Sequence, residues 1–178
     1  MKPLYKNILL VAGDGRNVGK TSLALTLIKK FSKQGIYAIK VSPHFHHLQK
    51  DEHILYTNDQ YQILEELNTE RLKDSSRFLK AGAKRVFYIQ TCDENLMESF
   101  LKVLSILPPD VPLLAEAGGL VHYIKAGLFL FVQDNKQLSK NRHIAAKADV
   151  ILNKNYTGLQ TWADHVEWLN DQWILKTN

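Results

Sequence analysis

Ile8-Leu9-Leu10-Val11-Ala12-Gly13-Asp14-Gly15-Arg16-Asn17-Val18-Gly19-Lys20-Thr21-Ser22-Leu23-Ala24-Leu25-Thr26-Leu27-Ile28-Lys29-Lys30 is the stretch on which the reading of this chain turns. The apolar run from Ile8 to Ala12 has the length of a buried strand. A glycine-rich segment breaks it. From Lys20 onward Leu23, Leu27 and Phe31 recur at helical spacing, joined on the same face by Ala24 and Ile28. The order is therefore strand, glycine-rich loop, helix.

A loop can surround anionic phosphate oxygens with backbone N–H groups only where some positions lack a Cβ and accept unusual dihedrals. Gly13, Gly15 and Gly19 supply such positions. Lys20 brings a mobile positive charge for the β- and γ-phosphates, Thr21 a hydroxyl for Mg²⁺, and the helix N-terminus its own partial positive charge. With Arg16, Asn17, Val18 and Ser22 these residues form the expected binding segment for ATP or GTP. The G-x-x-x-x-G-K-[ST] spacing would put its first glycine at position 14, where this chain has Asp14 between two glycines. Asp14 either touches Mg²⁺ or an incoming substrate, or shapes the loop through its own backbone.

Outward from this stretch the chain alternates apolar runs with helical patterns. Ile36 to Val41, Arg85 to Gln90, Val111 to Ala115, Leu128 to Val132 and Val150 to Leu152 read as further strands, with Trp173 to Leu175 as a seventh. Asp59 to Leu67 reads as a helix on Tyr61, Ile63, Leu64 and Leu67. A second helix begins with Asp74 as its cap and closes at Gly82. Asn95 to Leu107, Gln137 to Ala148, and a last helix on Leu159, Trp162, Val166 and Leu169, capped at Thr157, complete the set. The expectation is one α/β domain over residues 1–178, with three layers, a mainly parallel sheet of six or seven strands, and helices on both faces.

In such sheets ligands bind beyond the carboxyl ends of the strands. That rule gathers the remaining candidates onto one rim. Glu116 ends the fourth strand, where a carboxylate can hold Mg²⁺ through water or orient an attacking group. Lys40 ends the second, and its charge either meets a transferred phosphoryl group or snorkels at an edge. His44, His46 and His47 follow in a long segment, Ser42 to Asn58; they contact phosphate, bind metal or are simply exposed. Arg77 and Lys80 lie three apart on one helix, as a substrate clamp or a solvated pair. Gly118, Gly119 and Lys125 are further candidates for an anionic substrate. Asn153 could hydrogen-bond a purine base, although Tyr156 stands where a guanine-reading aspartate would be. Cys92, after the third strand, reads as a buried or incidental thiol rather than a nucleophile.

Composition narrows the classes. The chain carries 45% hydrophobic residues and a formal charge of +5 over 178 residues, enough for a full core. Its lysines and arginines are spread over helix faces, with no basic stripe interleaved with aromatics, so no nucleic-acid partner is expected. No apolar segment has the length of a bilayer span and no signal peptide is evident, so no membrane partner is expected either. One cysteine excludes an internal disulfide, and a cytoplasmic setting is expected.

The segment Gly13-Asp14-Gly15-Arg16-Asn17-Val18-Gly19-Lys20-Thr21 resembles the phosphate loop of dethiobiotin synthetase and its relatives in the SIMIBI class of P-loop proteins. Lys73-Asp74-Ser75-Ser76-Arg77, continuing to Ala81-Gly82-Ala83, together with Ile39-Lys40 and the histidine-rich segment after it, is similar to the molybdopterin-guanine dinucleotide biosynthesis protein B family. The second half differs: Glu116-Ala117-Gly118-Gly119-Leu120 is similar to a dethiobiotin synthetase segment instead, while Val41 replaces the proline beside that family's lysine. The first resemblance implies a dimeric GTP-binding adaptor of molybdenum-cofactor synthesis with a protein partner. The second implies an ATP-dependent ligase or kinase acting on a small anionic metabolite. Both imply the fold, a nucleotide and Mg²⁺. The tryptophans Trp162, Trp168 and Trp173 suit either an interface of the expected homodimer or the core.

Overall fold

The computed structural model describes residues 1–46, 48, 50–134, 141–154, 158 and 161–176. Strand β1 (Leu4–Gly13) runs into helix α1 (Lys20–Lys30), and β2 (Tyr37–Ser42) follows. Then come β3 (His53–Thr57), β4 (Tyr61–Glu65), α2 (Asp74–Lys80), β5 (Val86–Thr91), α3 (Leu96–Leu104), β6 (Leu113–Glu116) and β7 (Lys125–Gln133). The short helix α4 (Arg142–Ala145), β8 (Val150–Asn153), β9 (Val166–Leu169) and β10 (Gln172–Leu175) complete the order. Eight strands form one sheet in the order β3-β4-β5-β2-β6-β1-β7-β8. The six from β5 to β8 are parallel, and β3 and β4 add an antiparallel hairpin at one edge.

The period of two along each strand divides the core. In β1, Ile8, Leu10 and Ala12 join Phe129 and Phe131 of β7 and Leu96, Phe100 and Val103 of α3. Leu9 and Val11 point the other way, into Leu23, Ala24, Leu27 and Ile28 of α1 and Phe78 of α2. β1 is buried on both faces: Ile8, Leu9, Leu10 and Val11 are each at most 1% exposed. Phe31 closes α1 and meets the edge of Trp173, ring centroids 4.8 Å apart. No helix among the described residues is long and apolar enough to cross a membrane.

Several expectations are corrected. Asp59 to Leu67 is not helical: Tyr61–Glu65 is β4, because the open edge of β5 takes an antiparallel partner and Asn58 makes the turn, its Oδ1 accepting the N–H groups of Gln60 (2.9 Å) and Tyr61 (2.7 Å). The preceding segment Ser42 to Asn58 therefore contains β3. The last helix does not reach Leu169: Val166–Leu169 is β9, paired with β10 through Asn170 and Asp171, both at left-handed φ (50° and 56°), as a two-residue hairpin turn demands. That pair forms its own two-stranded sheet, so the seventh expected strand lies outside the main sheet. Trp173 is buried and donates Nε1–H to the Asn7 carbonyl at 2.8 Å, which makes it core. The helix expected over Gln137 to Ala148 is seen as Arg142–Ala145; residues 135–140, Thr157 and Leu159 lie outside the described residues.

Candidate functional site

The loop after β1 owes its shape to three different uses of glycine and one left-handed asparagine. Gly15 and Gly19 have φ near 109° and 108°, and Asn17 sits at 61°. Such angles favour glycine, with asparagine the most tolerant substitute. Gly13 has an ordinary φ but no room: a Cβ there would stand 2.2 Å from the carbonyl oxygen of Val132 in β7. The Asp14 amide donates to that same carbonyl at 3.0 Å, pinning the loop's start to the neighbouring strand. Gly19 is the N-cap of α1 and offers no side chain, so no side chain caps the helix's first N–H groups. The first turn also lacks an acidic residue. These open donors and the helix dipole give the position a field that favours an anion.

Lys20 folds its ammonium back onto the Gly15 carbonyl. Burial lowers its pKa below the ordinary lysine value, Glu116 opposes the change, and Lys40 adds to it. A cation short of solvent in this way gains from an incoming anion.

Beside the loop a charged cluster assembles from four elements. Lys40 of β2 and Glu116 of β6 are register partners on adjacent parallel strands. Alternation turns both toward the face covered by α1 and α2, since Ala38 and Leu114 two residues earlier pack there. Lys40 Nζ lies 2.6 Å from Glu116 Oε1 and 3.4 Å from Asp74 Oδ2. Thr21 Oγ1 is 3.2 Å from Glu116 Oε2 and 3.3 Å from Asp74 Oδ2. Arg77 Nη1 holds the other oxygen of Asp74 at 3.2 Å. Glu116 is 3% exposed, so its charge depends on these partners.

Loop and cluster share one cleft of about 850 Å³. It takes in Gly13, Gly15, Arg16, Asn17, Gly19, Lys20, Thr21 and Ser22, then Lys40, His44, His46, Arg77, Glu116, Gly118 and Gly119. His46 is placed there through its amide, which donates to Oε1 of the buried Gln90 at 2.5 Å. Gly119 lets Leu96 pack close: a Cβ would stand 2.7 Å from Leu96 Cδ2.

The structure separates other candidates from this cleft. Lys125 opens β7 beside Leu4, at the amino end of a nine-residue strand, so it stands roughly 25 Å from the rim; as a substrate contact it is corrected by the strand's direction. Asn153 is at the carboxyl rim, but on the edge strand β8 and outside the cleft wall; its Oδ1 accepts Gln133 Nε2–H at 2.9 Å. Val18 is buried in the core under the loop, so its part is structural. His47 and Tyr156 lie outside the described residues. Cys92 is exposed, with Asn95 Nδ2–H donating to its sulfur at 3.2 Å.

Asp74 is the cleft residue that the sequence did not single out as a candidate. It reads as a helix cap, yet Lys73 holds the cap position, no side chain caps α2, and the Asp74 carboxylate reaches Thr21, Lys40 and Arg77 instead. Thr91, which ends β5, and Asp93 just beyond it also enter the cleft wall. Their place at the carboxyl end of a parallel strand was the available signal.

No family model, no curated protein and no solved structure matches the chain.

Proposed function

We propose that this chain has the P-loop NTPase fold, binds a purine nucleoside triphosphate with Mg²⁺ on residues 13–22, and hydrolyses it slowly. The observation that carries this reading is the meeting of Lys20 and Thr21, at an uncapped helix N-terminus, with the carboxylates of Glu116 and Asp74. The donor set suits Mg²⁺. One hydroxyl and two carboxylates are hard oxygen ligands, and an ion that keeps several waters needs few protein groups. Thr21, Glu116 and Asp74 would hold the ion, which when bound neutralises charge developing between the β- and γ-phosphates.

The chain's own residues do the rest. Backbone N–H groups of the loop and of the first turn of α1 receive phosphate oxygens, and Lys20 exchanges the Gly15 carbonyl for a phosphate. Lys40 faces the group beyond the terminal phosphate and stabilises its charge. The similarity of the first half to the molybdopterin-guanine dinucleotide adaptors supports a nucleotide-gated role in molybdenum-cofactor synthesis. A second reading has its own observation: the cleft continues past the loop to Arg77, His44, His46 and Asp93, which is room for a second substrate of a ligase or kinase.

Calorimetric titration with ATP and with GTP, each with and without Mg²⁺, on the wild type and Lys20→Ala tests the reading. Tight, Mg²⁺-dependent binding that the variant loses supports it. A folded wild type that binds neither nucleotide overturns it. Turnover stimulated by a small anionic metabolite would favour the ligase or kinase.

A further inference from the structure

The oxygens suited to a divalent cation already hold a charge. Lys40 Nζ and Thr21 Oγ1 bracket the same pair of carboxylates, and both approach the same Asp74 Oδ2, at 3.4 Å and 3.3 Å. An ion ligated at about 2.0–2.1 Å by Glu116 and Thr21 would stand beside the Lys40 ammonium, and the two positive charges would repel. Among the described residues Lys40 is the cation paired with Glu116, whereas Asp74 also has Arg77 on its far oxygen. If Lys40 left with nothing in its place, buried Glu116 would lose its ion-pair partner and keep only the longer-range field of Lys20, which is costly. Its departure and the arrival of a metal are therefore one exchange. The flexible lysine stem permits it, and a triphosphate in the adjoining loop offers the ammonium another anion.

We propose that Lys40 is a resident cation of the metal position: it holds Glu116 and Asp74 in place, keeps divalent metal out of the nucleotide-free protein, and yields only when phosphate draws it away. Metal and nucleotide then enter as a coupled pair, each raising the other's affinity by the same factor. The nucleotide half rests on the function proposed above. The metal half rests on the side chains alone.

The test is Mn²⁺ binding to nucleotide-free protein, followed by the electron paramagnetic resonance signal of free Mn²⁺. Wild type is compared with Lys40→Met, with Lys40→Gln, which keeps a hydrogen-bond donor for Glu116, and with Lys80→Met, which removes the same charge from α2 outside the cleft wall, where Lys80 pairs with Glu70. Lys40→Met and Lys40→Gln are expected to bind Mn²⁺ about ten-fold more tightly than wild type, a typical coupling factor, while Lys80→Met changes little. Thermal melts give a second readout: Mn²⁺ raises the Tm of Lys40→Met more than that of wild type. Mn²⁺ affinity unchanged in both Lys40 variants, or raised equally by Lys80→Met, overturns the proposal. Repeating the wild-type titration with a non-hydrolysable ATP analogue and with its GTP counterpart tests the nucleotide reading separately. Failure of both analogues to bind leaves the Lys40 result standing and overturns only the nucleotide half.

Discussion

Thr21 Oγ1 lies 3.2 Å from Glu116 Oε2, although ninety-five positions separate the two residues. The parallel pairing of β1 with β6 sets Val11 beside Glu116, and the loop then returns Thr21 to the end of the neighbouring strand. Glu116→Gln keeps the shape and removes the charge. The ratio of nucleotide affinity in Mg²⁺ to that in a chelator is expected to fall roughly ten-fold or more, given the strength of interactions with charged groups. Calorimetry in the two buffers measures it, and an unchanged ratio would remove Glu116 from the metal position.

Gly13→Ala and Gly127→Ala separate loop shape from fold. Each Cβ would collide with backbone, at 2.2 Å from Val132 O and 2.0 Å from Lys6 O, so neither neighbour can turn aside. Both variants are expected to lose about 1–3 kcal/mol of stability, the usual cost of overpacking. Only Gly13→Ala is expected to weaken nucleotide binding as well. Equal binding in the two, measured on protein shown to be folded, would contradict the role given to the seat of the loop on β7.

Gln90→Leu addresses the histidine segment. The Gln90 amide accepts from His46 N–H and donates Nε2–H to Gln62 Oε1 at 3.3 Å, from a buried position on β5. Leucine fills the space and removes both bonds, at a cost of about 1 kcal/mol. Hydrogen exchange at the His46 amide should quicken in the variant. Unaltered exchange there would mean that the segment is held by other contacts.

The acid limit of stability should depend on Arg85. Its guanidinium takes Glu65 in a two-pronged bond, 2.5 Å and 2.9 Å, and holds that carboxyl below the usual glutamate range against the opposing effect of burial. A carboxyl depressed in the folded state contributes stability that is complete above its unfolded value and lost as pH falls through the folded one. The wild type should therefore lose Tm more steeply than Arg85→Met as pH drops from about 5 toward 2. Parallel curves would show that the pair adds nothing.

The strand–loop–helix unit, the six parallel strands and the rim placement of Lys40 and Glu116 were legible because each rests on local pattern plus one topological rule. The misread elements had ambiguous spacing. Tyr61, Ile63, Leu64 and Leu67 satisfy a helical stripe, and Tyr61 and Ile63 on either side of Gln62 satisfy an alternating one equally well. The edge of β5 decides between them, and periodicity does not carry that information. The turn residues did carry some: Asn58 before Tyr61, and Asn170-Asp171 between two tryptophan-bearing runs, are hairpin signals that the apolar spacing overrode. Asp74 was hidden for another reason. A carboxylate at a helix start has a sufficient local explanation, and only the return of α2 toward Thr21 gives it a distant partner.

The seat of Gly13 on Val132 ties the loop to the order in which the chain is made. Every residue that would cradle phosphate lies between Gly13 and Ser22, yet the carbonyl that fixes the loop's beginning is synthesised more than a hundred residues later. Contacts at such sequence separation form slowly, after the local ones. A nascent chain halted before β7 would carry the complete motif without its anchor, so ligand capture would report that the sheet had closed around β1.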